Sequence, residues 1–94
     1  MSESKRYRAN PVVSFGDEGD DGAVLYNPDV DDVTIVNLAG KAIWQLLETP
    51  QTPEHIAAYL VETFQGCSVE QAAEDVEAFI QELLPDFLEM VDDD

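Results

Sequence analysis

The period of the hydrophobic pattern changes once along the chain, at Asn37. Before it, Val33-Thr34-Ile35-Val36 is a dense β-branched run, which favours the pleated, half-buried surface of a sheet. After it, Ala39, Ala42, Ile43, Leu46 and Leu47 recur at helical spacing. The switch divides the chain into a strand-forming first part and a helical second part. Two further strands are predicted upstream: a short run with Val12, Val13 and Phe15 closed by Gly16, and Ala23–Tyr26. The segment Asp17–Gly22 (DEGDDG) and Asn27-Pro28-Asp29 supply the reversals, since Gly, Asn and Asp tolerate turn geometry. The strands thus read as an antiparallel meander.

Three helices follow. The first ends before Pro50, and Asn37 is its candidate cap. The second opens at Thr52-Pro53, with Thr as cap and Pro at the first helical position, and its apolar stripe is Ile56, Leu60 and Phe64. Ser68 caps the third, with Gln71 as capping-box partner. That helix carries two adjacent apolar lines, one of Ala72, Val76, Phe79 and Leu83, the other of Val69, Ala73, Ile80 and Leu84. Pro85 stops it, and Phe87, Leu88 and Met90 form an apolar tail expected to fold back on the core. The fold class is α+β: a three-stranded antiparallel sheet followed by three helices.

Charge narrows the function. Four Lys and Arg stand against 21 Asp and Glu, a net charge of −17 over 94 residues. Such a surface repels phosphate backbones and anionic headgroups, so neither nucleic acid nor a membrane is an expected partner. The 45% apolar content still supports one packed core, and the length suits a single domain. Lys5, Arg6 and Arg8 gather in residues 1–10, read as a flexible polar arm; 11–91 form the domain and 92–94 an acidic tail. No apolar run reaches the length of a membrane span, and MSESKRYRAN lacks the apolar stretch of a signal peptide. The expected location is cytoplasmic.

Catalytic machinery is not visible. Asp17, Gly19, Asp21 and Gly22 mimic a calcium loop, but Gly19 and Pro28 occupy positions that need oxygen ligands. Cys67 precedes a helix start, where a thiolate is favoured, yet His55 is the only His and lies on another element. There is no Gly-rich phosphate loop and no nucleophile elbow. Trp44 reads as a packing anchor. No enzyme activity, metal or cofactor is expected.

The third strand is the last of the meander and so a candidate edge. Edges are usually blunted by Lys or Pro; Val33–Val36 has neither, although Asp31 and Asp32 guard one end. An open edge beside a half-open apolar helix is where an extended peptide can add a strand. The arm or a second copy can cover it equally well, and the residues leave the two open. A winged-helix DNA reader needs Lys and Arg on its third helix; Ser68–Leu84 has neither and carries Glu70, Glu74, Asp75, Glu77 and Glu82.

Three strands then three helices match a winged-helix-like domain, and the residues are more particular. Asn37-x-x-Gly40-x-x-Ile43-Trp44 resembles the N-x-x-(G/A/S)-x-x-I-W signature of the PqqD-like family, the peptide-recognition element of ribosomally made, post-translationally modified peptide pathways. Thr52-Pro53-Glu54-His55-Ile56 resembles its T-x-E-E-I helix start, and Asp75-Val76-x-x-Phe79-Ile80-x-x-Leu83 its D-V-x-x-F-[IL]-x-x-L helix. The resemblance spans about residues 11–90. It implies a non-catalytic peptide chaperone. Such a protein binds the leader of a precursor peptide as an added strand and presents it to a radical-SAM enzyme, a cyclase system or a leader peptidase. By that resemblance Val33, Thr34, Ile35 and Val36 supply main-chain hydrogen bonds, and Val76, Phe79, Ile80 and Leu83 line an apolar pocket. Asp75 contacts a polar or basic leader residue or is simply solvated. Asn37, Ile43 and Trp44 are structural. The rival readings are an acidic carrier or interaction protein, with Ser68 as the only Ser at a helix start, and an acidic mimic of nucleic acid.

Overall fold

The computed structural model describes residues 5–91; the acidic run 92–94 lies outside them. Strands β2 (Ser14–Asp17), β3 (Ala23–Asn27) and β4 (Asp32–Val36) follow β1 (Arg6–Ala9), then come helices α1 (Leu38–Leu46), α2 (Pro53–Thr63) and α3 (Val69–Leu83), and last β5 (Leu88–Val91). The meander β2-β3-β4 is antiparallel with β3 in the centre. A three-stranded sheet and three helices give the α+β class read from the sequence.

The helices start where capping chemistry places them. Asn37 Oδ1 accepts from the Gly40 amide at 2.8 Å, Thr52 Oγ1 from His55 at 3.2 Å and Ser68 Oγ from Gln71 at 3.1 Å. Each bond satisfies an amide that the first turn otherwise leaves unpaired. Along β3, Ala23, Leu25 and Asn27 are buried while Val24 and Tyr26 are half-buried on the opposite face. The inner face meets α1 and α3 in a core centred on Leu25, Ile43, Leu47, Ile56, Leu60, Val76 and Leu88. Trp44 is buried in the same cluster.

Two elements differ from the sequence reading. Gly16 continues β2 opposite Val24 instead of ending it, because the reversal is made later, by the turn Gly19–Asp21 and by Gly22 at φ 107°. Val12, read as part of that strand, precedes it and is exposed. Within the stretch read as an arm, Arg6–Ala9 form β1 and pair antiparallel with β5. Tyr7 also exchanges backbone bonds with Gln51 at 2.8 and 2.9 Å, and Ala9 donates to Leu47 O. Arg8 Nε reaches Glu89 Oε1 at 3.0 Å across the β1–β5 pair. The expected apolar tail is thus a strand, with Phe87 and Leu88 buried and Met90 exposed.

Among the described residues Asn27 is the one buried polar side chain. Its Nδ2 donates to Asp86 O at 2.5 Å and its Oδ1 accepts from the Asp29 amide at 2.8 Å. It ties the end of β3 to the α3–β5 connection. Among the described residues no helix is long and apolar enough to cross a membrane.

Candidate functional site

β4 pairs with β3 on one side only, so its other side is an edge among the described residues. Two contacts show which backbone groups face outward. A side chain on Gly22, next to β3, would collide with the Val36 carbonyl, so that carbonyl points back toward β3. The Val33 amide bonds to Asp32 Oδ1 at 3.0 Å rather than to β3. In an antiparallel ladder the direction alternates along the strand. Val36 and Thr34 therefore bond to β3, while the N–H and C=O of Val33 and Ile35 point to the open edge. The Asp32 carboxylate covers one of those amides.

The side chains divide the same way. Thr34 and Val36 share the inner face with Leu25 and Ala23. Val33 and Ile35 sit on the outer face, 54% and 73% exposed. The inner face runs into α1 and α3 at Gly40. A Cβ on Gly40 would come 2.8 Å from Val36 Cβ and 3.3 Å from the Phe79 ring. The missing side chain is what lets β4, α1 and α3 converge. Asp75 lies one turn before Phe79 on the same side of α3; it is exposed and accepts from Gln71 Nε2 at 3.0 Å. Tyr26 Oη donates to Asp31 Oδ1 at 2.9 Å beside the edge, which raises the phenol above its usual range.

The α3 residues named from the sequence do not act as one wall. Phe79 meets the β4–α1 junction. Val76 and Ile80 line a groove on the α2 side of the helix. Leu83, 2% exposed, belongs to the core and does not line that groove. A 15-residue helix with a wide apolar stripe buries its middle against the core and shows a different edge on each flank. Among the described residues no group of His, Cys, Asp and Glu is placed to hold a metal ion.

The signature Asn37-x-x-Gly40-x-x-Ile43-Trp44 thus consists of a cap, a close-approach point and two buried anchors. The family model of coenzyme PQQ synthesis protein D (PqqD) matches residues 22–85. The chain belongs to the PqqD family.

The PqqD match begins at β3 and ends after α3, so it contains the edge strand, the Gly40 junction and both flanks of α3. Among solved structures the fold is similar to a lasso peptide synthetase B1 complexed with the leader peptide. The TM-score is 0.68 at 22% identity, over 87% of this chain and 95% of that one. No curated protein sequence matches. Two features of this PqqD-family site escape sequence reasoning. One is the Asp32 carboxylate on the Val33 amide, which only the ladder register gives. The other is the α2–α3 groove, whose signal was the second apolar line of α3, with Val69, Ala73, Ile80 and Leu84.

Proposed function

We propose that this chain is a non-catalytic peptide chaperone: it captures the leader of a precursor peptide as a fourth strand on β4 and presents it to a separate modifying enzyme. The observation that carries the reading is the open edge of β4, with Val33 and Ile35 offering their N–H and C=O outward. Membership of the PqqD family supports it, as does the leader peptide held by the structurally similar lasso peptide synthetase B1.

An added strand bonds at Val33 and Ile35. Its residues opposite Thr34 and Val36 then point inward, toward Phe79 and Asp75. Phe79 supplies the apolar contact and Asp75 receives a polar or basic leader residue. Val76, Ile80 and Leu83 belong to the same buried core cluster as Phe79. Main-chain pairing gives affinity with little sequence demand, and the side-chain contacts select the leader. Docking displaces the Asp32 carboxylate from the Val33 amide. The net charge of −17 favours encounter with a basic leader or a basic enzyme surface, and salt weakens that share. The enzyme served is a radical-SAM enzyme, a cyclase system or a leader peptidase, working in the cytoplasm without a cofactor on this chain.

The test is an NMR titration with the synthetic leader of the precursor peptide encoded nearest this protein. Saturable amide shifts in Val33–Val36 and around Asp75 and Phe79 are expected. Absence of shifts at about millimolar peptide, with or without the modifying enzyme, overturns the reading.

A further inference from the structure

We propose that the groove between α2 and α3 docks a basic amphipathic helix of a partner protein, at a site separate from the β4 edge. The groove has a volume of about 770 Å³ and runs from Val69 to Leu84, the whole length of α3. At 1.5 Å per residue that is roughly 22 Å, or about four helical turns. Its floor is apolar and low: Ala57, Val61, Ala73, Val76, Ile80 and Leu84. The small residues, with Ala58, leave room for another backbone to approach.

The shape suits a helix rather than a strand. Both walls are helices whose main-chain groups are bonded internally, so an extended peptide finds no edge to pair with. A helix brings its own bonded backbone and needs only an apolar stripe at helical spacing.

Charge identifies the occupant. The rim carries Glu54, Glu62 and Glu77, and no Lys or Arg lines it. Tyr7 of β1 closes one end. Its neighbours Arg6 and Arg8 are exposed on the other side of that strand, because successive side chains alternate. A helix with Leu or Ile on one face and Lys or Arg along its flanks satisfies both floor and rim. A second copy does not, since its exposed helix faces are acidic and each copy carries −17.

The test uses the full chain and a synthetic Leu–Lys peptide of about four turns, its leucines placed on one helical face. Two comparison peptides are the same residues in scrambled order and a Leu–Glu peptide of the same pattern. Saturable shifts on Pro53–Thr63 and Val69–Leu84 are expected for the patterned Leu–Lys peptide only. Ala73→Arg, which fills the floor and adds a cation at an exposed helical position, should weaken that binding by about tenfold or more, while Ala73→Ser leaves it within about twofold. Ile35→Pro should leave it unchanged, which separates this site from leader capture. Equal binding of the scrambled peptide, indifference to Ala73→Arg, shifts centred on β4, or no binding would each overturn the proposal. So would self-association of the parent chain that Ala73→Arg abolishes, because the groove would then belong to a second copy.

Discussion

Ile35→Pro is the sharpest test of strand addition, because the ladder register separates its effect on binding from its effect on folding. Proline removes one N–H. If that N–H faces the open edge, the free protein loses no ladder bond, which is the setting where strands tolerate proline. The side chain is 73% exposed, so its replacement removes little buried area. The free protein should then lose no more than about 1 kcal/mol. In the complex, the leader carbonyl opposite Ile35 loses its donor while shut away from water. That costs about 1–3 kcal/mol, or roughly 5- to 150-fold in Kd at 1.4 kcal/mol per tenfold. Ile35→Val keeps the amide and should bind as the parent does. Thr34→Pro removes a donor that bonds to β3 and should destabilise the free protein more than Ile35→Pro. Calorimetric titration with the leader gives the binding loss, and thermal melts followed by circular dichroism give the stability. A folded Ile35→Pro variant that binds within about twofold of the parent would refute the outward assignment of this amide, and with it strand addition at β4.

Three further outcomes follow from single contacts. Gly40→Ala gains about 1 kcal/mol of helix propensity but drives a Cβ to 2.8 Å from Val36 Cβ, an overpacking cost of about 1–3 kcal/mol. Its Tm should fall by several degrees and leader binding should weaken as Phe79 shifts; a raised Tm would contradict the close approach. Asn27→Ala deletes two buried hydrogen bonds and should cost about 1–2 kcal/mol by urea unfolding, moderated because Asn10 Nδ2 still donates to Asp86 O at 3.0 Å. Lys41 Nζ sits 2.6 Å from Asp17 Oδ1, and this bond, with the Gly19 amide second, holds the Asp17 carboxyl below its usual range. A lowered carboxyl adds stability above the ordinary value near pH 4 that is lost as pH falls through the lowered one. Lys41→Met should therefore move the Asp17 carboxyl titration upward in an NMR pH series, and an unmoved midpoint would break the assignment.

The acidic excess and the PqqD fold are compatible because they concern different faces. Among the described residues the acidic side chains lie in turns, at strand ends and on exposed helix faces, apart from Glu89 in β5. The inner face of the sheet and the middle of α3 are apolar. On α3 the acidic side chains are exposed beside one buried stripe, and Glu77 lines the groove toward α2. One negatively charged protein thereby carries both a strand edge at β4 and a side-chain groove between α2 and α3.

Sequence alone determined what is local. The switch of period at Asn37, the caps at Asn37, Thr52 and Ser68, and the turn residues act within a few positions, so strands and helices were legible with small errors at their ends. The edge position of β4 was legible as well, because the last strand of a meander has one neighbour. Tertiary structure decided what depends on distant partners. β1 exists because Leu88–Val91 lies beside it, some 80 residues along the chain, and no pattern in Arg6–Ala9 announces that pairing. The division of α3, with Phe79 toward β4 and Val76 and Ile80 toward α2, depends on how the helix is rotated against the sheet. A periodic stripe fixes which side of a helix is buried. Only packing fixes which neighbour each residue of that stripe meets, because the choice is made by the shapes of other elements, here by the space left at Gly40 and the low alanine surface of α2.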